Sequence, residues 1–287
     1  MPSKQHKANK SRPHVVSQVV RHFPLVGKTI EAYMNQKLGM EMNKVASLCS
    51  LLYINYGTTL ASLLAIGYQI DYDDFHSFVH ARGLPYDKIK PDPVLKNMLQ
   101  SMRIFTNSDM DHTKIFLERL GLKDCFTNGI ICFETLNKPY LRLPRDNAVT
   151  PTIFDIDGHN ARSGGKLPKT PVLCKPNTTA MKDALNKFNV DPSKAIFFDD
   201  SERNIKAGKD IGMRIVLIGK SNRVDGADHA VPSIHNINVL LPELLEVSRK
   251  RRRADGEGEH DYQMRNEFLR GSRCLNRLEE PRFVVQS

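Results

Sequence analysis

Ile196-Phe197-Phe198-Asp199-Asp200-Ser201 is the stretch on which the fold turns. An apolar run that stops at two carboxylates reads as a strand buried on both faces and ending at a polar rim. Ser201 is suited to cap a helix over 201–208, and a second apolar run, 213–219, follows. Upstream, 177–188 has helical spacing, 171–174 reads as a short strand and 129–133 as another. A helix over 111–120 closes at Gly121, where a C-cap glycine belongs. Before it, Arg103-Ile104-Phe105 is a short strand and 94–100 a helix opened by Pro91-Asp92-Pro93. Strands alternating with helices predict an α/β fold with a doubly wound parallel sheet. The one long irregular stretch, 135–170, has no period and several Pro and Gly, a composition that marks a functional or disordered segment.

Over 28–80 the pattern is helical throughout. Ile30, Tyr33, Met34 and Leu38 share one face; Val45, Leu48, Leu51 and Leu52 share the next; Gly39, Gly57, Gly67 and Asp71 divide them. A small all-helical module therefore precedes the sheet. With 287 residues, 40% of them hydrophobic, the chain can bury one sizeable core and such a module. No run approaches the ~20 apolar residues of a membrane helix, and the basic start, residues 1–12, lacks the apolar segment of a secretory signal. The five Cys are scattered, without metal-ligand spacing, which suits reduced, buried thiols in the cytosol or nucleus. The net charge of +10 belongs mostly to the ends. Residues 1–13 hold four basic residues and no acid, and 249–287 hold ten Lys/Arg against seven Asp/Glu, leaving +3 for 14–248. The core is therefore not expected to bind nucleic acid, whereas the basic tails are candidates for it.

Ligands of a parallel α/β sheet sit beyond the carboxyl ends of its strands, and three polar clusters fall there. Asp199 and Asp200 would repel each other without a cation, and Mg²⁺ favours one or two carboxylates plus phosphate and water; ordinary acidic capping is the competing reading. Thr106 and Asn107 end the strand at Phe105 and are placed to open the next helix, where a hydroxyl beside N-terminal amides makes an anion site; turn-capping is the alternative. Pro176 suits the first helical position, which puts Lys175 at the N-cap. A cation there is sensible if an anion lies between it and the helix. Otherwise it is a solvated Lys.

These clusters, in this order, resemble the second, third and fourth motifs of the haloacid dehalogenase-like hydrolase superfamily. Asn55-Tyr56-Gly57-Thr58-Thr59, Ile131-Cys132-Phe133-Glu134-Thr135-Leu136-Asn137 and Phe197-Phe198-Asp199-Asp200-Ser201 look like its plant and fungal pyrimidine 5′-nucleotidase-like branch. The resemblance spans about 27–247. It implies a Rossmann-like core over 91–247 under a helical cap over 27–90, Mg²⁺, and hydrolysis of phosphate monoesters, with a phosphorylated small molecule such as a pyrimidine nucleotide as partner. By analogy, Thr106 and Lys175 hold the phosphoryl group and Asn107 assists. Asp199 and Asp200 form the metal site, and Tyr56, Gly57, Thr58 and Thr59 face the substrate.

The family's first motif, a strand ending in D-x-D-x-T, supplies the nucleophile and the acid/base. Its place reads His14-Val15-Val16-Ser17-Gln18-Val19-Val20-Arg21-His22-Phe23, and no Asp precedes Asp71. The expectation is a hydrolase-like protein with little or no activity, a basic, poorly ordered segment over 1–26 in place of the strand, and a charged disordered tail over 248–287. Phe154-Asp155-Ile156-Asp157-Gly158 imitates the missing motif but lies out of order and lacks the Thr. An active phosphatase using Asp155 or Asp157 is one alternative, and a non-enzymatic nuclear interaction module is another. The run Arg249-Lys250-Arg251-Arg252-Arg253 fits a nuclear-import signal, giving a cytoplasmic or nuclear location. His112 and His159 read as surface residues.

Overall fold

The computed structural model describes residues 15–81, 84, 86–99, 102–126, 129–141, 162, 166–237 and 283–284. Four helices come first: α1 (Val15–Gln36), α2 (Met42–Tyr56), α3 (Thr59–Ala65) and α4 (Tyr72–Ala81). They close around Tyr33, Met34, Val45, Leu52, Leu63 and Phe75, with the Tyr33 ring edge-on to Phe75 and Phe78 at 4.9 and 5.3 Å. Helix α1 runs unbroken across residues 26 and 27, where the sequence reading separates a disordered segment from the cap. No single helix among the described residues is long and apolar enough to cross a membrane.

The core then alternates as α5 (Pro93–Leu99), β1 (Arg103–Phe105), α6 (Met110–Arg119), β2 (Ile130–Ile131), α7 (Phe133–Leu141), α8 (Thr178–Lys187), β3 (Ile196–Asp199), α9 (Glu202–Asp210), β4 (Arg214–Ile218) and β5 (His229–Val231). Strand pairing among the described residues is parallel throughout, in the order β3-β4-β5 and, in a second group, β2-β1-β6, with β6 formed by Phe283–Val284. Successive residues point to opposite faces of a strand, and both faces are buried. Ile104, Ile196, Phe198, Val216 and Ile218 pack against α5 and α6; Phe105, Ile131, Phe197, Ile215 and Leu217 pack against α8 and α9. This is the doubly wound α/β arrangement expected. Helix α9 lies so close to the sheet at Gly208 that a Cβ there would fall 2.8 Å from Ile215 Cδ1.

The last strand, β6 (Phe283–Val284), lies inside the segment expected to be a disordered tail. It pairs in parallel with β1, Arg103 opposite Phe283 and Ile104 opposite Val284, and it also runs beside β3. Strand β6 therefore bridges the two strand groups, at the slot between the strands leading to Thr106 and Asp199.

Two further expectations fail. Residues 171–174 are not a strand, because the backbone of Leu173 is engaged by a side chain: its N–H donates to Asn137 Oδ1 (2.7 Å) and its carbonyl accepts from Asn137 Nδ2 (2.9 Å). Of 129–133 only Ile130–Ile131 is strand; Phe133 already opens α7, which takes the first residues of the supposedly irregular 135–170. Asp155, Asp157, His159 and the run 249–253 lie outside the described residues.

Candidate functional site

Three of the residues singled out from sequence converge. Asp199 ends β3, fully buried, and its carboxylate collects four donor contacts. Oδ2 accepts from Lys175 Nζ at 3.0 Å and Asn204 Nδ2 at 3.1 Å; Oδ1 accepts from the Ser201 N–H at 2.8 Å and Asn204 Nδ2 at 3.0 Å. Burial pushes the Asp199 carboxyl above its ordinary value, against the pull of Lys175. Lys175 is itself 0% exposed, with Nζ 5.6 Å from the centre of the Phe105 ring. Asn107 locks the backbone of Lys175: Oδ1 accepts from its N–H (2.8 Å) and Nδ2 donates to its carbonyl (3.0 Å). A buried ion pair holds only when the remaining polar atoms are also satisfied, and Asn204 and Ser201 do this for Asp199.

The placement of Lys175 departs from expectation. Helix α8 begins at Thr178, and its N-cap is Asn177, whose Oδ1 accepts from the N–H groups of Thr179 and Ala180. Lys175 precedes a cis Lys175–Pro176 bond and points into the core toward Asp199; it is neither N-cap nor solvated. Likewise Thr106 does not open α6. It is buried after β1, its Oγ1 accepting from the Ser108 N–H at 3.1 Å, and Asp109 caps the helix. The N-terminus of α6 is occupied by carboxylates: Asp109 Oδ1 accepts from the His112 N–H (2.8 Å), and Glu134 accepts from the Met110 N–H (2.9 and 3.1 Å). An anion site there is already filled by the chain itself.

Residues 56–59, at the junction of helices α2 and α3, meet this cluster. Gly57, at φ +86°, presses onto the Lys175–Pro176 peptide, where an added Cβ would lie 2.2 Å from the Lys175 carbonyl oxygen. Tyr56 Oη donates to the Pro168 carbonyl at 2.7 Å. Thr58 caps α3 through the Ala61 N–H, and Thr59 is buried with its Oγ1 3.5 Å from Cys49 Sγ. Cys174 Sγ lies 3.4 Å from the Tyr56 carbonyl, and burial pushes its thiol up to about 11. Arg203 of α9 donates to the carbonyls of Tyr53 and Ile54, both at 2.8 Å, with its guanidinium over the Tyr53 ring at 4.5 Å. That places a cation on the exposed carbonyls at the C-terminus of α2, where it is favourable.

Mg²⁺, implied by the family resemblance, was assigned from sequence to Asp199 and Asp200. Asp199 has a donor on each of its acceptor positions, so a divalent ion would have to displace Lys175 or Asn204. Asp200, half-buried, is then the one open carboxylate of the pair. As arranged, the pair does not fit Mg²⁺. Among the described residues, the group that could hold a metal is His76, His80 and Asp109, outside this cluster.

The sequence reading names Asn137 only within the stretch 131–137, without a role, and does not reach Arg203, Asn204 or the histidine group. His76 and His80 stand four apart on one helix, a spacing that could have flagged them. His112 is half-buried rather than a surface residue: its Nδ1 is 2.5 Å from Tyr86 Oη, and its ring stacks on His80 at 4.4 Å.

Residues 79–212 match the family model of haloacid dehalogenase-like hydrolases. Among solved structures, an L-2-haloacid dehalogenase from Xanthobacter autotrophicus with chloropropionic acid covalently bound is similar at 12% identity and a TM-score of 0.41, covering 76% of this chain and 93% of that one. A haloacid dehalogenase-like protein of unknown function from Agrobacterium tumefaciens is similar at 14% identity and a TM-score of 0.40, covering 77% and 92%. The segment that carries Thr106, Asn107, Lys175 and Asp199 thus matches the haloacid dehalogenase-like hydrolase family.

Proposed function

We propose that this chain keeps a phosphate-monoesterase scaffold of the nucleotide 5′-phosphatase type without turning over phosphate esters. The observation that carries this reading is β6. The slot between β1 and β3, where the family's first motif would bring its nucleophile, is taken by Phe283–Val284, and Phe283 to Ser287 contains no acidic side chain. Loss of a nucleophile costs several orders of magnitude in rate. The rest of the site is in keeping with this: Lys175 and Asp199 neutralise each other, and the N-terminus of α6 is satisfied internally. A pyrimidine nucleotide or other phosphorylated small molecule would have to compete with Asp199 for Lys175, so binding is weak and Mg²⁺ adds little to it.

The test is hydrolysis of UMP, CMP and an aryl phosphate by the full chain, with and without Mg²⁺. Background rates are expected. Mg²⁺-dependent turnover near about 1 s⁻¹ contradicts the reading, and its loss on changing Asp155 and Asp157 together to Asn would assign the substitute carboxylate. The location we propose is cytoplasmic and nuclear, the basic run 249–253 acting as the import signal. A reporter carrying residues 245–287 should then enter the nucleus; even distribution between compartments removes that part of the proposal.

A further inference from the structure

His76 and His80 lie one turn apart on α4 of the cap, and both rings turn Nδ1 toward the same oxygen of Asp109, the N-cap of α6 in the core. His80 Nδ1 is 2.5 Å and His76 Nδ1 3.1 Å from Asp109 Oδ2, and the two Nδ1 atoms are 3.5 Å apart. Asp109 is buried and its other oxygen is fixed by the His112 N–H. Phe133 and Tyr72 wall the group, their rings stacked at 5.4 Å. His76 Nε2 is buried without a hydrogen-bond partner, so the polar contacts of that ring are made through Nδ1.

Held by hydrogen bonds only, each imidazole needs its proton on Nδ1 to donate to Asp109 Oδ2, whose two lone pairs can accept both. A metal ion replaces both protons with a single charge that all three atoms face. Zn²⁺ bonds nitrogen and carboxylate oxygen at about 2.0–2.2 Å, which in tetrahedral geometry separates the ligand atoms by about 3.3–3.5 Å. Two of the three separations are close to that, and the third needs to open by less than about 1 Å. Two imidazoles and a carboxylate suit Zn²⁺ and similar transition ions, whereas Mg²⁺ prefers an all-oxygen shell.

We propose that His76, His80 and Asp109 form a transition-metal site of the Zn²⁺ class that clamps the cap to the core. The ligands come from α4 on one side of the seam and the start of α6 on the other, so an ion held between them couples the two units. This site is independent of Lys175 and Asp199 and of the reading given above for them.

The experiment uses the full chain, stripped with a chelator and then loaded with Co²⁺ or Zn²⁺. A single equivalent of Co²⁺ should give visible d–d absorption without a thiolate charge-transfer band, and Zn²⁺, unlike Mg²⁺, should raise the melting temperature by several degrees. Asp109→Asn keeps a good helix cap but removes the anionic ligand, and His80→Gln removes one imidazole. Each should weaken Zn²⁺ binding by at least about tenfold. Absence of the d–d bands, a thiolate band, or unchanged affinity in the folded variants overturns the proposal. If either variant fails to fold, the cobalt spectrum of the unaltered chain decides.

Discussion

The β3-β4-β5 half of the sheet and the β2-β1-β6 half differ in how much of each the chain supplies locally. In the first, strands of four and five residues follow one another across a single helix, and their apolar side chains alternate between two buried faces. In the second, strands of three and two residues are completed by a two-residue strand from the far end of the chain. The contrast teaches that one half of the sheet is specified by neighbouring segments, whereas the other takes its third strand, Phe283–Val284, from far away in the sequence.

The largest expected effect lies where the β3-β4-β5 half meets the site. Lys175→Met strands the Asp199 carboxylate in the interior and should cost about 3–5 kcal/mol in denaturant unfolding. Adding Asp199→Asn should restore most of that loss, since an amide still accepts from Ser201 and carries no charge. No recovery in the double variant would mean that the ion pair is more than a self-compensating structural unit.

Gly57→Ala comes next. Its positive φ and the 2.2 Å approach to the Lys175 carbonyl predict a loss of about 2–3 kcal/mol, in the range of overpacked sites, read by the same unfolding experiment. A neutral outcome would show that the cap does not press on the core at this point. Arg203→Ala should cost about 1 kcal/mol through the two carbonyls it serves, and should raise protease sensitivity at the end of α2 while leaving β3 and β4 untouched.

The smallest effect is a pH dependence in the β3-β4-β5 half. Burial alone would raise the Asp228 carboxyl, but hydrogen bonds from Lys209 Nζ and the Ile215 N–H outweigh it and hold it below the ordinary value. A depressed carboxyl stabilises the fold above the unfolded-state value of about 3.9, and that contribution is lost as pH falls through the lower folded value. Asp228→Asn should flatten the acid side of the stability curve below about pH 4 and change little at neutrality. An unchanged acid limb would exclude Asp228 as a contributor.

The legibility of the sequence divides along the same line. Ile196 to Asp199 and Ile215 to Ile218 are readable because a strand buried on both faces must be continuously apolar. Strand β6 is not readable, because the run Phe283-Val284-Val285 is too short to show a period, and Arg103, the partner of Phe283, is 180 positions away. Residues 171–174 mislead because a side chain, Asn137, takes the hydrogen bonds that a neighbouring strand would make. In the site, Lys175 and Asp199 are found from sequence, but their mutual pairing is not, since nothing local says that a cation 24 positions upstream will be its counter-ion. His76 and His80 show their shared face, while Asp109 joins them only through the packing of cap on core.

Hydrogen exchange on the full chain and on a chain ending before Pro281 tests the central claim most directly. If β6 completes the sheet, the amides of Arg103 and Phe105 are protected in the full chain and exchange much faster after truncation, while Ile104, whose N–H donates to the Gly129 carbonyl of the β2 side at 3.2 Å, and the amides of β4 keep their protection. Equal protection of β1 in both chains would contradict the account, because the slot between β1 and β3 would then be closed by something other than Phe283 and Val284.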